Sequence, residues 1–127
     1  MTNLLLVGLG GALGSMARYL FGAWVQALSR SQSFPFGTLT VNLIGCLVIG
    51  FLSQWAEARS VFTIETRALV FVGVLGGFTT FSSFGNDTLN LARNGWVALA
   101  LANVGANVVI GLFAVWLGRL LAAGLWR

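Results

Sequence analysis

Four long runs of this chain pass with almost no charge, and that restricts the fold more than any other feature. From about Leu4 to Leu28 the only charged residue is Arg18, and from Phe36 to Trp55 there is none. A membrane-spanning helix needs about 20 mainly apolar residues. Spans over about 4–28, 36–55, 67–90 and 95–121 therefore use up most of the 127 residues and predict one membrane domain over 1–127. Charged residues make up only 8% of the chain, where a soluble domain carries roughly a quarter. An ordinary water-soluble globule is excluded. The start Met1-Thr2-Asn3 lacks the positive charge of a secretory leader, and the first run is too long for a leader's apolar core, so it reads as a first membrane helix.

The third run is interrupted. After about ten apolar residues it reaches Gly76-Gly77-Phe78-Thr79-Thr80-Phe81-Ser82-Ser83-Phe84-Gly85. Unwound backbone at membrane depth is tolerated only where protein or a water-filled cavity surrounds it. A third helix broken near 76–80, with the break turned to the protein interior, is the expectation. Carbonyls freed there need a partner, and a small cation is one candidate. Phe81 and Phe84 share a helical face among the hydroxyls of Thr79, Thr80, Ser82 and Ser83. A Phe ring has an electropositive edge that suits a small anion, although a Phe pair taken alone is explained by core packing.

Polar and small residues recur at helical spacing in the other spans. Gly10, Gly14, Arg18 and Gly22 line one stripe; Thr38, Asn42, Cys46 and Gly50 line another; Asn103, Asn107 and Gly111 a third. Small residues let helix backbones approach closely. An Asn within a span can bond helix to helix, and Asn42, Asn103 and Asn107 together could supply donors that replace an anion's hydration shell. Arg18 has two open readings, an anchor that snorkels to the interface or the attractor of an anion vestibule. Trp24, Trp55, Trp96 and Trp126 fall near predicted helix ends, as an aromatic belt requires, whereas Trp116 lies deeper.

Charge narrows the function. With no His and one Cys, Cys46, there is no His/Cys metal cluster, His-based triad or internal disulfide. The net charge of +4 is that of seven arginines less three carboxylates, and the arginines are scattered singly, which disfavours nucleic-acid binding. Glu57 and Glu65 fall in a polar loop over 56–66 and Asp87 beyond the break, so no carboxylate occupies the centre of a span. Proton-coupled transport generally needs one there, and a passive pathway fits better. Arg59, Arg67, Arg119 and Arg127 lie on one side of the predicted spans; Arg30 and Arg93 lie on the other, with Arg18 toward it. So weak a bias leaves two readings, insertion in both orientations giving an antiparallel dimer, or one weakly determined orientation.

Three motifs carry a resemblance over essentially the whole chain. They are Gly11-Ala12 with Gly14 and Ala17-Arg18-Tyr19; Pro35-Phe36-Gly37-Thr38-Leu39 with Asn42 and Gly45; and the run Gly76 to Phe84. The sequence resembles the Fluc (CrcB) family of small bacterial fluoride channels, and Asn103, Asn107 and Gly111 also look like the fourth helix of some members. The resemblance implies an all-α membrane protein of the bacterial inner membrane, an antiparallel, dual-topology homodimer of four-helix subunits. It implies passive fluoride conduction out of the cytoplasm along two pathways at the subunit interface, and no enzymatic activity. Ring edges of Phe81 and Phe84 would line the pathway with Asn42, and Thr80, Ser82, Asn103 and Asn107 would accompany them. Arg18 would belong to the wide vestibule, and carbonyls of Gly76 and Thr79 from both subunits would hold a structural sodium ion. Asp87, near the pore end, stands where relatives often carry Glu.

Two other readings compete. A small multidrug-type exporter shares the four spans but depends on a membrane-embedded Glu in its first helix, where this chain has Arg18. A non-conducting membrane assembly protein would explain the small-residue stripes and leave the intramembrane hydroxyls and Asn side chains unexplained.

Overall fold

The computed structural model describes residues 1–125, so Trp126 and Arg127 lie outside the described residues. The described residues are helical with short connections and contain no strand. Helix α1 is Thr2–Ser29, α2 is Phe36–Arg59, α3 covers residues 64–78, α4 is Phe81–Arg93 and α5 is Val97–Leu125. Four helical stretches are long and apolar enough to cross a membrane, α3 and α4 together forming the third.

Local chemistry sets the helix ends. α1 stops at Arg30 and α2 at Ser60, both in the left-handed conformation that closes a helix C-terminus. Between α1 and α2 the Gln26 carboxamide holds the turn: Nε2 donates to the carbonyls of Ser31 (2.7 Å) and Phe34 (3.1 Å), and Oε1 accepts from Gly37 N–H (2.9 Å). Thr63 caps α3 by accepting from Thr66 N–H at 3.2 Å. Gly95, at φ 83°, turns the chain between α4 and α5.

The expected polar loop over 56–66 is mostly helix. α2 continues through Glu57 to Arg59, leaving a connection of residues 60–63. Ala and Glu are good helix formers, and nothing requires a helix to stop where its hydropathy falls. The extra turn brings Glu57 to Arg119 of α5, with which it forms an ion pair. α5 likewise runs past the expected 121, to Leu125.

Helix α1 packs against α3, and α2 against α5. Glycines permit both approaches: a Cβ on Gly14 would strike the Val74 carbonyl of α3, and one on Gly118 the Leu47 carbonyl of α2. The first-helix stripe thus divides, with Gly10 and Gly14 against α3 and Gly22 against Gly37 and Val41 of α2. The interior is slight. Among the described residues its buried apolar side chains are Val41, Ala56, Leu75, Phe84, Leu91, Ala100 and Ala122, while large apolar residues of every long helix lie exposed. A chain that turns its apolar residues outward needs lipid or protein around it. Trp24 and Trp96 are exposed near helix ends, as a belt requires.

Two stretches, Ala68–Leu75 in α3 and Ala106–Ile110 in α5, are wound as π-helix. Such wider turns occur often at functional sites. Both adjoin the interruption between α3 and α4.

Candidate functional site

The interruption is confined to Thr79 and Thr80, whose backbones are extended (φ −82°, ψ 156° and φ −150°, ψ 116°). Gly76 and Gly77 remain helical, so the break occupies only the end of the expected 76–80 stretch. Hydroxyl chemistry explains the placement. Thr79 Oγ1 donates back to the Leu75 carbonyl (2.9 Å), and Thr80 Oγ1 accepts from Ser83 N–H (3.2 Å) as the N-cap of α4.

Asn42 of α2 meets the break from across the bundle. Its Oδ1 accepts from Thr80 N–H (2.9 Å) and its Nδ2 donates to the Thr80 carbonyl (3.1 Å). In a continuous helix Thr80 N–H would bond the carbonyl of Gly76. Sent to Asn42 instead, it leaves the Gly76 carbonyl without its ordinary helical donor.

The polar seam continues into α5. Asn42 Nδ2 also donates to Asn107 Oδ1 (3.1 Å), and Asn107 Nδ2 to the carbonyl (3.0 Å) and Oδ1 (3.1 Å) of Asn103. Asn103 Nδ2 donates to Thr88 Oγ1 (2.9 Å), which donates to the Phe84 carbonyl (2.8 Å). Asn103 is only 1% exposed. A buried carboxamide is costly unless bonded, and here the seam satisfies it. Asn42, Asn103 and Asn107 are thus brought together, but their N–H groups are directed to protein oxygens.

Phe81 and Phe84 lie at the same place, with centroids 5.3 Å apart and ring planes at 61°. Phe81 is 82% exposed and Phe84 8%. Both line a groove of about 370 Å³ with Asn42, Gly76, Thr79, Thr80 and Asn107. Arg18 stands apart from that groove, in a second cavity of about 380 Å³ with Tyr19, Thr38, Thr80 and Ser83. Thr80 borders both cavities. Ser82 is exposed, its hydroxyl 3.2 Å from that of Thr80. Asp87, half-buried on α4, lines neither cavity.

Sequence reasoning missed Thr88, which looks unremarkable beside Asn86 and Asn90, and missed Gln26, whose position near the end of α1 was a usable signal. It recognised Asn42 but not its pairing with Thr80, 38 positions away.

A small all-helical, multi-pass membrane protein with a hydrogen-bonded polar seam around one broken helix is the class that this fold and site define. The chain belongs to the CrcB-like protein family, Camphor Resistance (CrcB), whose profile matches residues 5–119. Relatives span nearly its whole length. The Fluoride-specific ion channel FluC of Methylobacillus flagellatus is 47% identical over 118 residues, 93% of this chain and 92% of that protein. The protein of the same name from Parabacteroides distasonis is 50% identical over 121 residues, 95% and 93% of the two chains. Fluoride-specific ion channel FluC 3 of Methanosarcina barkeri is 39% identical over 124 residues, 98% and 92%.

Proposed function

We propose that this protein is a fluoride-selective passive ion channel, not an enzyme, that lets fluoride leave the cytoplasm across the bacterial inner membrane. The observation that carries the reading is Phe81: an aromatic ring left 82% exposed beside a polar break, in a chain whose relatives are named fluoride-specific channels. The Phe81 and Phe84 ring edges offer positive electrostatic potential to a small anion without a full charge that would trap it.

The conducting unit of this proposal is an antiparallel homodimer of dual-topology subunits. A subunit that exposes apolar side chains on all its long helices and keeps a groove beside its break suits a second copy covering that groove. Fluoride would travel along the groove by Phe81 and Phe84, with the hydroxyls of Thr80 and Ser82 as donors. Asn42, Asn103 and Asn107 would shape this path by holding the break and α4, and Arg18 would attract anions into the neighbouring cavity. Asp87 would stand near the pore end.

The donor set fits a structural sodium ion. Gly76, deprived of its helical donor, and Thr79 both line the groove, and carbonyl oxygens are hard ligands suited to such a cation. When bound, the ion would supply positive charge that neutralises these carbonyl dipoles. Two carbonyls from each subunit would hold it at the dimer centre.

Fluoride efflux from liposomes containing the purified protein, read with a fluoride electrode, tests the function. Efflux dissipating an imposed gradient, with chloride excluded, is expected. No flux above that of empty vesicles would sink the proposal.

A further inference from the structure

Neither cavity accounts for the polar face of α4. Ser82, Asn86 and Asn90 recur at every fourth residue, and with Arg93 they occupy one sector of the helix. Phe84, Thr88 and Leu91 form a second sector, turned to the protein. Phe81, Gly85, Leu89 and Ala92 form a third, exposed and apolar. Ser82, Asn86, Asn90 and Arg93 are exposed, and among the described residues neither Asn86 nor Asn90 has a side-chain hydrogen bond.

The depth of this sector follows from one contact. The hydrogen bond between Asn103 and Thr88 fixes the register of α4 on α5, so Asn86 and Asn90 flank the level of Asn103. Around that level α5 exposes Leu101, Val104 and Val108, which are apolar. Asn86 is also seven residues from Arg93, about 10 Å along the helix. Unpaired carboxamides turned to hydrocarbon at the depth of an apolar surface are costly, so this sector has to meet water or protein.

We infer that Ser82, Asn86, Asn90 and Arg93 wall a water-filled approach along α4 that takes small hydrated anions to the break at Thr80. The inference rests on the channel reading and extends it to residues outside the groove. Ser83, next to Ser82, lines the Arg18 cavity, so the wall continues into it. Carboxamide N–H groups donate to a hydrated anion without holding it by charge. Arg93 at one end and Arg18 at the other supply attracting potential. Asp87 lies at the edge of the sector and carries the opposing charge.

Thiol labelling tests the wall. In a Cys46→Ser background reconstituted in liposomes, Asn86→Cys and Asn90→Cys are compared with Leu89→Cys from the apolar sector. The probe is an anionic, membrane-impermeant methanethiosulfonate. A thiol reacts as its thiolate, which forms in water, so labelling of the first two is expected to be at least about tenfold faster than at Leu89→Cys. The attached negative charge should then lower fluoride flux several-fold, whereas the cationic reagent should not. Asn90→Asp, which adds a negative charge, should also lower flux several-fold more than the neutral Asn90→Ser does. Positions 86 and 90 as unreactive as position 89 would overturn the inference, as would labelling that leaves flux unchanged. Absence of flux in the unsubstituted protein would refute the channel reading instead, and the labelling rates would still decide whether the sector is wet.

Discussion

The Asn42 side chain and the Thr80 backbone pair as two amides, each donating to the other, at 2.9 and 3.1 Å. A side chain thereby does for one extended residue what a neighbouring strand does in a sheet. Backbone groups unsatisfied by a helix have to find partners within the protein, and this pairing supplies both at once.

Asn42→Ala removes the partner of Thr80 N–H, of its carbonyl and of Asn107 Oδ1 together. These groups are half-buried, so leaving them unsatisfied is expected to cost toward the lower end of about 1–3 kcal/mol. Thermal unfolding in detergent should show a lower midpoint, and amide exchange at Thr80 should quicken. An unchanged midpoint would mean that the break holds its shape unaided.

The two phenylalanines should separate on substitution. Phe81→Ile leaves the interior intact because the ring is exposed, so fluoride flux should fall while the unfolding midpoint of the subunit hardly moves. Phe84→Ile alters a buried side chain and should lower both, the stability by about 1–3 kcal/mol. Flux and melting measured on the same preparations check this. Equal flux in both variants and the parent would remove the rings from the pathway.

Close backbone approach makes a sharp contrast between two glycines of α1. Gly14→Ala drives a methyl against the Val74 carbonyl and should cost about 1–3 kcal/mol, seen as poor yield and a lower midpoint. At Gly8 an added Cβ meets nothing within 4 Å, so Gly8→Ala should leave both readouts within error or slightly improved.

Exchange of sodium for a large organic cation throughout purification should lower flux and weaken the proposed dimer, with recovery when sodium returns. In the proposed dimer the carbonyls of Gly76 and Thr79 would otherwise come together uncompensated. Flux indifferent to sodium would separate the channel from its proposed ion.

The spans were legible because hydropathy reports directly on burial in lipid. The break was legible too, since Gly76, Gly77 and the run of hydroxyls depart from the surrounding apolar sequence. Its location was not. Glycine weakens a helix without having to end it, and what selects Thr79 and Thr80 is a hydroxyl bonding back to Leu75 together with Asn42 arriving from another helix. The same limit applies to Glu57, where the end of an apolar run was read as the end of a helix. Asn103 announced itself as a polar residue in a span, but its partner Thr88 depends on the pairing of α4 with α5.

Thr80 borders the groove with the phenylalanines on one side and the Arg18 cavity on the other. Water carries little of a membrane voltage, and most of the drop falls across whatever protein separates two wet compartments. With both cavities filled by water, Thr80, which borders each, would belong to that partition. The driving force on an ion would then be concentrated on the protein around this residue, and substitutions there would change the voltage dependence of conduction more than those elsewhere along either cavity.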